Sequence, residues 1–236
     1  PRVRVLPDGQ NKGLPARLNE IVRLAKGELV ARMDADDAMH PLRLEKQVGF
    51  LQANPELDGV TTGAYLIDAE DRPIALLPGR QPSAQEVLAR GGFLHPSLLA
   101  RKSWFEAHPY SLDYPRAEDR ELFVRTFKTS RLHVLSEPLY FYRWFGVPRG
   151  KTLRIGYRSE RKVMWKYGPN LVGWGPSLRL IALSFGKELL TWFLEWTHLE
   201  KGFQTRRAFQ PLLEMDQREA LRTLKVIRET CVPGWD

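Results

Sequence analysis

Three aspartates stand within four positions at the end of a run built for burial. In "GELVARMDADDAMHP", Gly27 to Pro41, the strand-like "ELVARM" leads directly into Asp34, Asp36 and Asp37. Like charges this close repel one another unless something positive lies among them. The fold must therefore deliver a buried strand whose end opens on a crevice. The flanking segments fit that demand. "VRVL", Val3 to Leu6, reads as a short strand. A helix is predicted over Leu14 to Ala25, with Leu14, Leu18, Ile21, Val22 and Ala25 at helical spacing and Gly27 ending it. Pro41 suits the first turn of a second helix, with Leu44, Val48 and Leu51 on one face and Asn54-Pro55 as its stop. "GVTTGAYLID" is β-branched and aromatic, hence a strand. "SAQE", Ser83 to Glu86, is a capping box opening a helix that closes at Gly91-Gly92. Strand-helix alternation argues for an α/β layer with a parallel sheet. Ligands of such sheets sit beyond the carboxyl ends of the strands, where the aspartates are.

Alternation along an extended segment puts Asp34 and Asp36 on the same side. Oxygen ligands suit Mg²⁺ or Mn²⁺. Mg²⁺ takes one or two protein carboxylates and completes its shell with phosphate and water, which makes a diphosphate the natural partner. The residues alone leave open a solvated turn with Asp37 capping the next helix. A second acidic pair occurs in "AEDRELFVRTF". There Leu122, Phe123 and Phe127 share a helical face, so Glu118 and Asp119 fall in or before the first turn. The helix dipole favours an ionised carboxylate at that end, and a general base must be unprotonated. Acidic first turns also serve as plain helix-start signals.

The run from Asn11 to Gln47 resembles the central motif of family 2 glycosyltransferases, an inverting group with the GT-A fold. It carries Asn11, Gly13 and Asn19, then Ala25-Lys26-Gly27-Glu28, the D-x-D, Pro41 and Arg43. "LHPSLLARKSWFEAHPYSLDYPRAEDRELFVR" is similar to the family's acceptor-side segment, with His95-Pro96, Arg101-Lys102 and Glu118-Asp119 in order. The resemblance covers Val3 to Tyr142. It implies a GT-A-like (Rossmann-like) mixed sheet flanked by helices. It implies that Asp34 lies by the donor ribose, that Asp36 with Asp34 holds Mg²⁺ or Mn²⁺ on the sugar-nucleotide diphosphate, and that Asp119, beside Glu118, is the general base. Asn11, Gly13 and Arg143 are implied on the donor side and His95 on the acceptor side. Processive members carry Q-x-x-R-W; here "YFYRW" keeps Arg143 and Trp144 but has Tyr140 in place of Gln. Transfer of a single sugar is the expectation. The chain begins at what matches the family's third strand, so the fold is expected to be N-terminally incomplete.

Past Tyr142 the pattern becomes basic, Trp-rich and helical. The expected division is 1–142, a partial glycosyltransferase domain, and 143–236, a helical extension. Net charge is +8, and much of it lies between Arg143 and Lys166, where eight Lys and Arg face Glu160 alone. Five of the seven Trp lie between Trp144 and Trp196. In "WGPSLRLIALSFGKELLTWFLEWTHLEKG" one face carries Ser184, Lys187, Glu188, Thr191, Glu195 and His198, the other Ile181, Phe185, Leu189, Trp192, Phe193 and Trp196. Trp and Lys/Arg on such a helix fit peripheral contact with an anionic membrane; the alternative is packing on the catalytic domain. "QREALRTLKVIRET" reads as one more surface helix. No uncharged stretch is long enough to span a bilayer, no signal-peptide pattern opens the sequence, and the single Cys231 excludes an intrachain disulfide. The expected location is the cytoplasm, at the inner face of the cell membrane.

The expected function is metal-dependent inverting transfer of one sugar from a nucleotide-sugar donor to a glycan or lipid-linked acceptor. Two alternatives remain open: a non-catalytic remnant acting as a binding or membrane-associated module, and a sugar-phosphate nucleotidyltransferase. The latter wants a Gly-rich basic phosphate loop, which the sequence does not show. Charge alone would admit a nucleic-acid binder, but no recognition motif is present, so nucleic acid is not an expected partner.

Overall fold

The sheet is mixed, and its one parallel pairing sets the geometry of everything near the aspartates. The computed structural model describes residues 4–146, 150–197 and 212–230. The elements are α1 (Leu14–Leu24), β1 (Leu29–Ala31), β2 (Ala38–Met39), α2 (Arg43–Ala53), β3 (Gly59–Ile67) and β4 (Pro73–Leu77). Then come α3 (Ala84–Arg90), a 3-10 turn at His95–Ser97, β5 (Leu99–Arg101), α4 (Lys102–Ala107), α5 (Glu118–Thr126) and β6 (Leu132–Arg143). Three long helices follow: α6 (Lys151–Val172), α7 (Trp174–Trp196) and α8 (Glu214–Glu229). Strand order is β1-β5-β3-β6-β2, with β4 paired to β3. Only β3 and β6 run parallel; β1–β5, β3–β5, β3–β4 and β2–β6 are antiparallel. The parallel sheet suggested by strand-helix alternation gives way to the mixed sheet that the family resemblance implies. The 3-10 turn reverses the chain into β5, and β4 returns on β3 as a hairpin, so neither needs a helical crossover.

Other local expectations also shift. Val3 lies outside the described residues, and Arg4 to Leu6 belong to no strand. No described strand pairs with them, and Val5 is 76% exposed. The strand read as "ELVARM" shortens to Leu29–Ala31, with one further ladder-like bond from Arg32 N to Leu98 O, 2.8 Å. Pro41 stands in the turn before α2, whose N-cap is Leu42. The inward face of α2 is Arg43, Gln47 and Leu51, and Leu44 is exposed. That helix lies over strand and loop ends whose carbonyls need donors, so two polar side chains take the inner positions. The capping box at Ser83 forms as read, with Ser83 and Glu86 bonding reciprocally.

The parallel β3–β6 ladder is broken by a bulge. Thr62 pairs with Leu135 and Ala64 with Tyr140, so two steps on β3 match five on β6. Pro138 sits opposite Gly63 within it, where a missing N–H costs no ladder bond. Backbones crowd there: a Cβ on Gly79 would lie 1.9 Å from Leu135 O, and one on Gly63 would lie 2.7 Å from Gly79 N.

The main core joins α3, α5 and α6 to the sheet through Leu88, Phe93, Leu98, Phe123 and Val163, all buried. A second cluster sets α8, by Ala220 and Leu224, against Tyr65, Ile67 and Phe141. α6 and α7 form an antiparallel hairpin across Gly173. Their contacts run in opposite order, Gly168 against Ser177, Arg161 against Glu188, and Arg154 against Glu195. Among the described residues, no helix is long and apolar enough to cross a membrane.

Candidate active site

The acidic loop leaves β1 at Arg32 and is fastened from two sides. Tyr140, on β6, donates its hydroxyl to Asp37 Oδ2 at 2.8 Å and accepts from Asp34 N at 3.2 Å. Arg143 N donates to Asp37 Oδ1 at 2.8 Å, and Arg143 Nε to Asp36 O at 2.7 Å. Asp37 is thus bound to β6 and does not cap α2, which has no side-chain cap. The Arg143 guanidinium also reaches Asp68 O at 2.7 Å and Asp71, which Arg228 of α8 binds in turn. It fixes the loop against the β3–β4 turn.

The three aspartates differ in their partners. Asp34 Oδ1 accepts from Arg32 Nη2 at 2.7 Å. Burial raises its pKa; Arg32 opposes this, while Asp36 and Asp119 add to it. Asp37 is raised to about 6, by burial first, with the Arg143 N–H and Tyr140 hydroxyl bonds opposing. Asp36 is exposed, and among the described residues its carboxylate has neither ion pair nor hydrogen bond. No group of three or more His, Cys, Asp or Glu placed to hold a metal ion occurs among the described residues. The donor set is therefore one free carboxylate with a second, Arg-paired one beside it. That fits a hard cation arriving with a diphosphate, whose oxygens and waters complete the shell, and it does not fit a cage made of protein alone.

Asp119 belongs to the same electrostatic cluster, since its charge helps raise both Asp34 and Glu118. It sits in the first turn of α5, where its Oδ1 accepts from Arg120 N at 2.7 Å. Glu118 is raised chiefly by burial. The first turn of α5 thus lies within electrostatic reach of Asp34.

Arg32 escaped the sequence reading. Its side chain is only 6% exposed, and Nε and Nη1 have no partner among the described residues. It is the cation within the carboxylate cluster. The signal was available: the alternation that aligns Asp34 with Asp36, taken one step back, includes Arg32.

His95 is buried, 5% exposed, and its Nε2 lies 2.8 Å from the Tyr110 hydroxyl. Burial, reinforced by Arg32, keeps it neutral by holding its pKa well below the usual range. Tyr110 in turn exchanges two hydrogen bonds with Asn19 of α1, each 2.9 Å. Asn11 and Gly13 form an exposed turn before α1, Gly13 N donating to Asn11 Oδ1 at 3.2 Å, with Gly13 at φ 79°. The structure places no contact between that turn and the aspartates. The Ala25–Glu28 and Arg101-Lys102 motifs do meet: Lys102 Nζ donates to Ala25 O at 2.9 Å and Lys102 N to Glu28 O at 2.7 Å.

Raised carboxylate pKa values have a stability consequence. The folded value of Asp37, about 6, exceeds its ordinary value of 3.8. Its contribution is therefore fully present below about pH 4 and is lost as pH rises through about 6. Solvent screening on this partly exposed group limits the effect to about 1 kcal/mol. The metal-free protein should lose about 2–4 °C in thermal midpoint between pH 5 and pH 7 relative to Asp37→Asn. Parallel profiles for the two proteins would show that Asp37 titrates as in the unfolded chain.

Residues 1–112 match the model of Glycosyl transferase family 2. EpsE of Bacillus subtilis (strain 168), named provisionally as a glycosyltransferase, is 32% identical over 148 residues, 60% of this chain and 52% of that protein. The O-antigen biosynthesis glycosyltransferase WbnJ of Escherichia coli is 33% identical over 131 residues, 53% of this chain and 51% of that one. The chain spans about half the length of these curated relatives. Among solved structures, S. aureus TarS 1-349 is similar at a TM-score of 0.49 and 16% identity, over 73% of this chain and 50% of that one. The mixed sheet with flanking helices and a helical C-terminal extension is the GT-A-like arrangement expected from the sequence.

Proposed function

We propose that this chain, which carries a family 2 glycosyltransferase-like domain, transfers one sugar from a nucleotide-sugar donor to a glycan or lipid-linked acceptor, with inversion. One observation carries the reading: the loop after β1 holds Asp34 through Arg32 and Tyr140 and Asp37 through Tyr140 and Arg143, and leaves the exposed Asp36 carboxylate unengaged.

Asp36, with Asp34, would hold Mg²⁺ or Mn²⁺, and such an ion stabilises a departing nucleoside diphosphate as a Lewis acid. Asp119 takes the proton of the acceptor hydroxyl as that oxygen attacks the anomeric carbon from the face opposite the leaving group. Glu118 and Asp34, both raised by burial, keep the pocket acidic around it. Arg32 balances that charge and leaves two unpaired N–H groups for an oxygen of the donor or acceptor. In this reading Arg143 serves the donor side by shaping the acidic loop, and the Asn11–Gly13 turn lies on the donor side as well. His95 acts on the acceptor side through Tyr110. Tyr140 supports single transfer: its hydroxyl is committed to the loop, so it offers a growing polymer no free group. WbnJ, named for O-antigen biosynthesis, favours a glycan as the acceptor class.

Calorimetric titration of nucleoside diphosphate with Mn²⁺ tests the donor half. Asp36→Asn should remove metal-dependent binding, since it neutralises the one unengaged hard ligand. Affinity equal to the parent chain would take Asp36 out of the metal site.

A further inference from the structure

α7 is amphipathic in the sense opposite to a helix packed on a water-soluble core. Beside Leu180 and Ile181, which pack on the main core, its inner side carries a polar stripe. Ser177 and Ser184 are 1% and 4% exposed, and both acids of the helix turn inward to α6. Glu188 is bound by Arg161 and, at 3.5 Å, by Arg158; Glu195 is bound by Arg154. The outer stripe is apolar. Leu178, Phe185, Leu189, Trp192, Phe193 and Trp196 are 47–73% exposed. The exposed ionised groups of α7 are Arg179 and Lys187, which flank that stripe. The sequence pattern has the basic block and this helix contacting an anionic membrane together. Arg154, Arg158 and Arg161 of that block are engaged by the two glutamates, while Lys162 and Lys166 of α6 stay exposed, so α7 itself presents an apolar face flanked by two cations.

A contiguous apolar surface of this kind marks an interaction site. Its occupant is set by charge and by the placing of tryptophan. A self-complementary contact between two copies would bring together faces whose only charges are cationic. An anionic lipid surface complements them. Trp174 stands at one end of α7 and Trp192 and Trp196 at the other, the ring type that settles at headgroup level, with leucine and phenylalanine between. The helix is too polar to span a bilayer, so it lies along one. We infer that the outer face of α7 docks on an anionic lipid surface, held there mainly by its apolar side chains, with α6 backing it through the partly buried ion pairs. The inference uses no part of the acidic loop, so a chain inactive in sugar transfer still reports on it.

Co-sedimentation of the full chain with vesicles tests this. Vesicles of phosphatidylcholine alone are compared with vesicles containing phosphatidylglycerol, at low and high salt. Binding should be at least ~10-fold stronger on the anionic vesicles at low salt, and a residual apolar component should persist at high salt. The double variant Leu189→Glu/Trp192→Glu should lose at least ~10-fold on anionic vesicles, with its circular dichroism and thermal midpoint unchanged because both side chains face solvent. Arg179→Glu/Lys187→Glu should bind the two vesicle types equally while keeping the apolar component. No vesicle binding by the parent chain would overturn the inference, as would equal binding to both vesicle types. Self-association by light scattering that the apolar double variant abolishes, without vesicle binding, would assign the face to a second copy instead.

Discussion

Asp119→Asn is expected to cut sugar transfer at least ~100-fold while leaving nucleotide affinity nearly unchanged, the lower scale for loss of a general base. The substitution is isosteric and keeps an oxygen to accept the Arg120 N–H, so the first turn of α5 should persist. It removes only the ability to take a proton. It also removes a negative charge that helps raise Asp34, so donor binding through the acidic loop should not suffer. Initial rates with saturating donor and calorimetry on the same preparation separate the two quantities. Turnover at the parent rate would place the base elsewhere.

The second large effect is on stability and falls on a residue buried beneath the acidic loop. Arg43 is fully buried. Its Nε donates to Gln47 at 2.9 Å, and its Nη2 to Arg32 O at 2.8 Å and Pro96 O at 3.4 Å, beneath the ring of Tyr140 at 5.0 Å. Gln47 carries the linkage onward to Val60 O and Ser97 O. These two side chains join the acidic loop, the centre of the sheet and the His95–Ser97 turn. Burial lowers the Arg43 pKa to about 10, which still leaves it charged at neutral pH. Arg43→Met keeps most of the stem but leaves buried acceptors unpaired, and should cost about 3–5 kcal/mol. Nucleotide binding should weaken with it, because Arg32 O loses its tether. Urea denaturation gives the first result and titration the second; an unchanged midpoint would show that the network is not what holds the two segments together.

Arg43 also shows where the sequence was legible and where it was not. The capping box at Ser83 was readable because its partners lie three residues apart. Arg43 and Gln47 were not, because the carbonyls that require them come from Arg32, Val60, Pro96 and Ser97, and a binary pattern gives the inner face to Leu44. On α7 the reading holds for Ser184, Glu188 and Glu195, which turn inward, and for Phe185, Leu189, Trp192, Phe193 and Trp196, which turn outward; Ile181 packs on the main core, Lys187 is exposed, and His198 lies outside the described residues. Periodicity shows that a helix has two faces; only the neighbouring helix shows which one turns inward, here through the arginines of α6. The candidate carboxylates were legible as types and positions. Arg32 lies two residues from Asp34, whereas Tyr140 and Arg143 come into place only when β2 pairs with β6, and β6 was obscured by Pro138, which the bulge accommodates.

That bulge also fixes a parity. Side chains alternate between faces along a strand, so looping out an odd number of residues exchanges the faces for everything downstream. Five steps on β6 against two on β3 is an excess of three. Tyr140 therefore meets the acidic loop and Phe141 meets α8. With an even excess, Phe141 would turn to the aspartates, and Tyr140 would be carried to the apolar cluster. The loop between Leu135 and Leu139 is thus tolerant in one sense and intolerant in another. A substitution at the exposed Ser136 or Glu137 changes a surface, whereas inserting or deleting one residue there would erase the site with every one of its residues still present in the sequence.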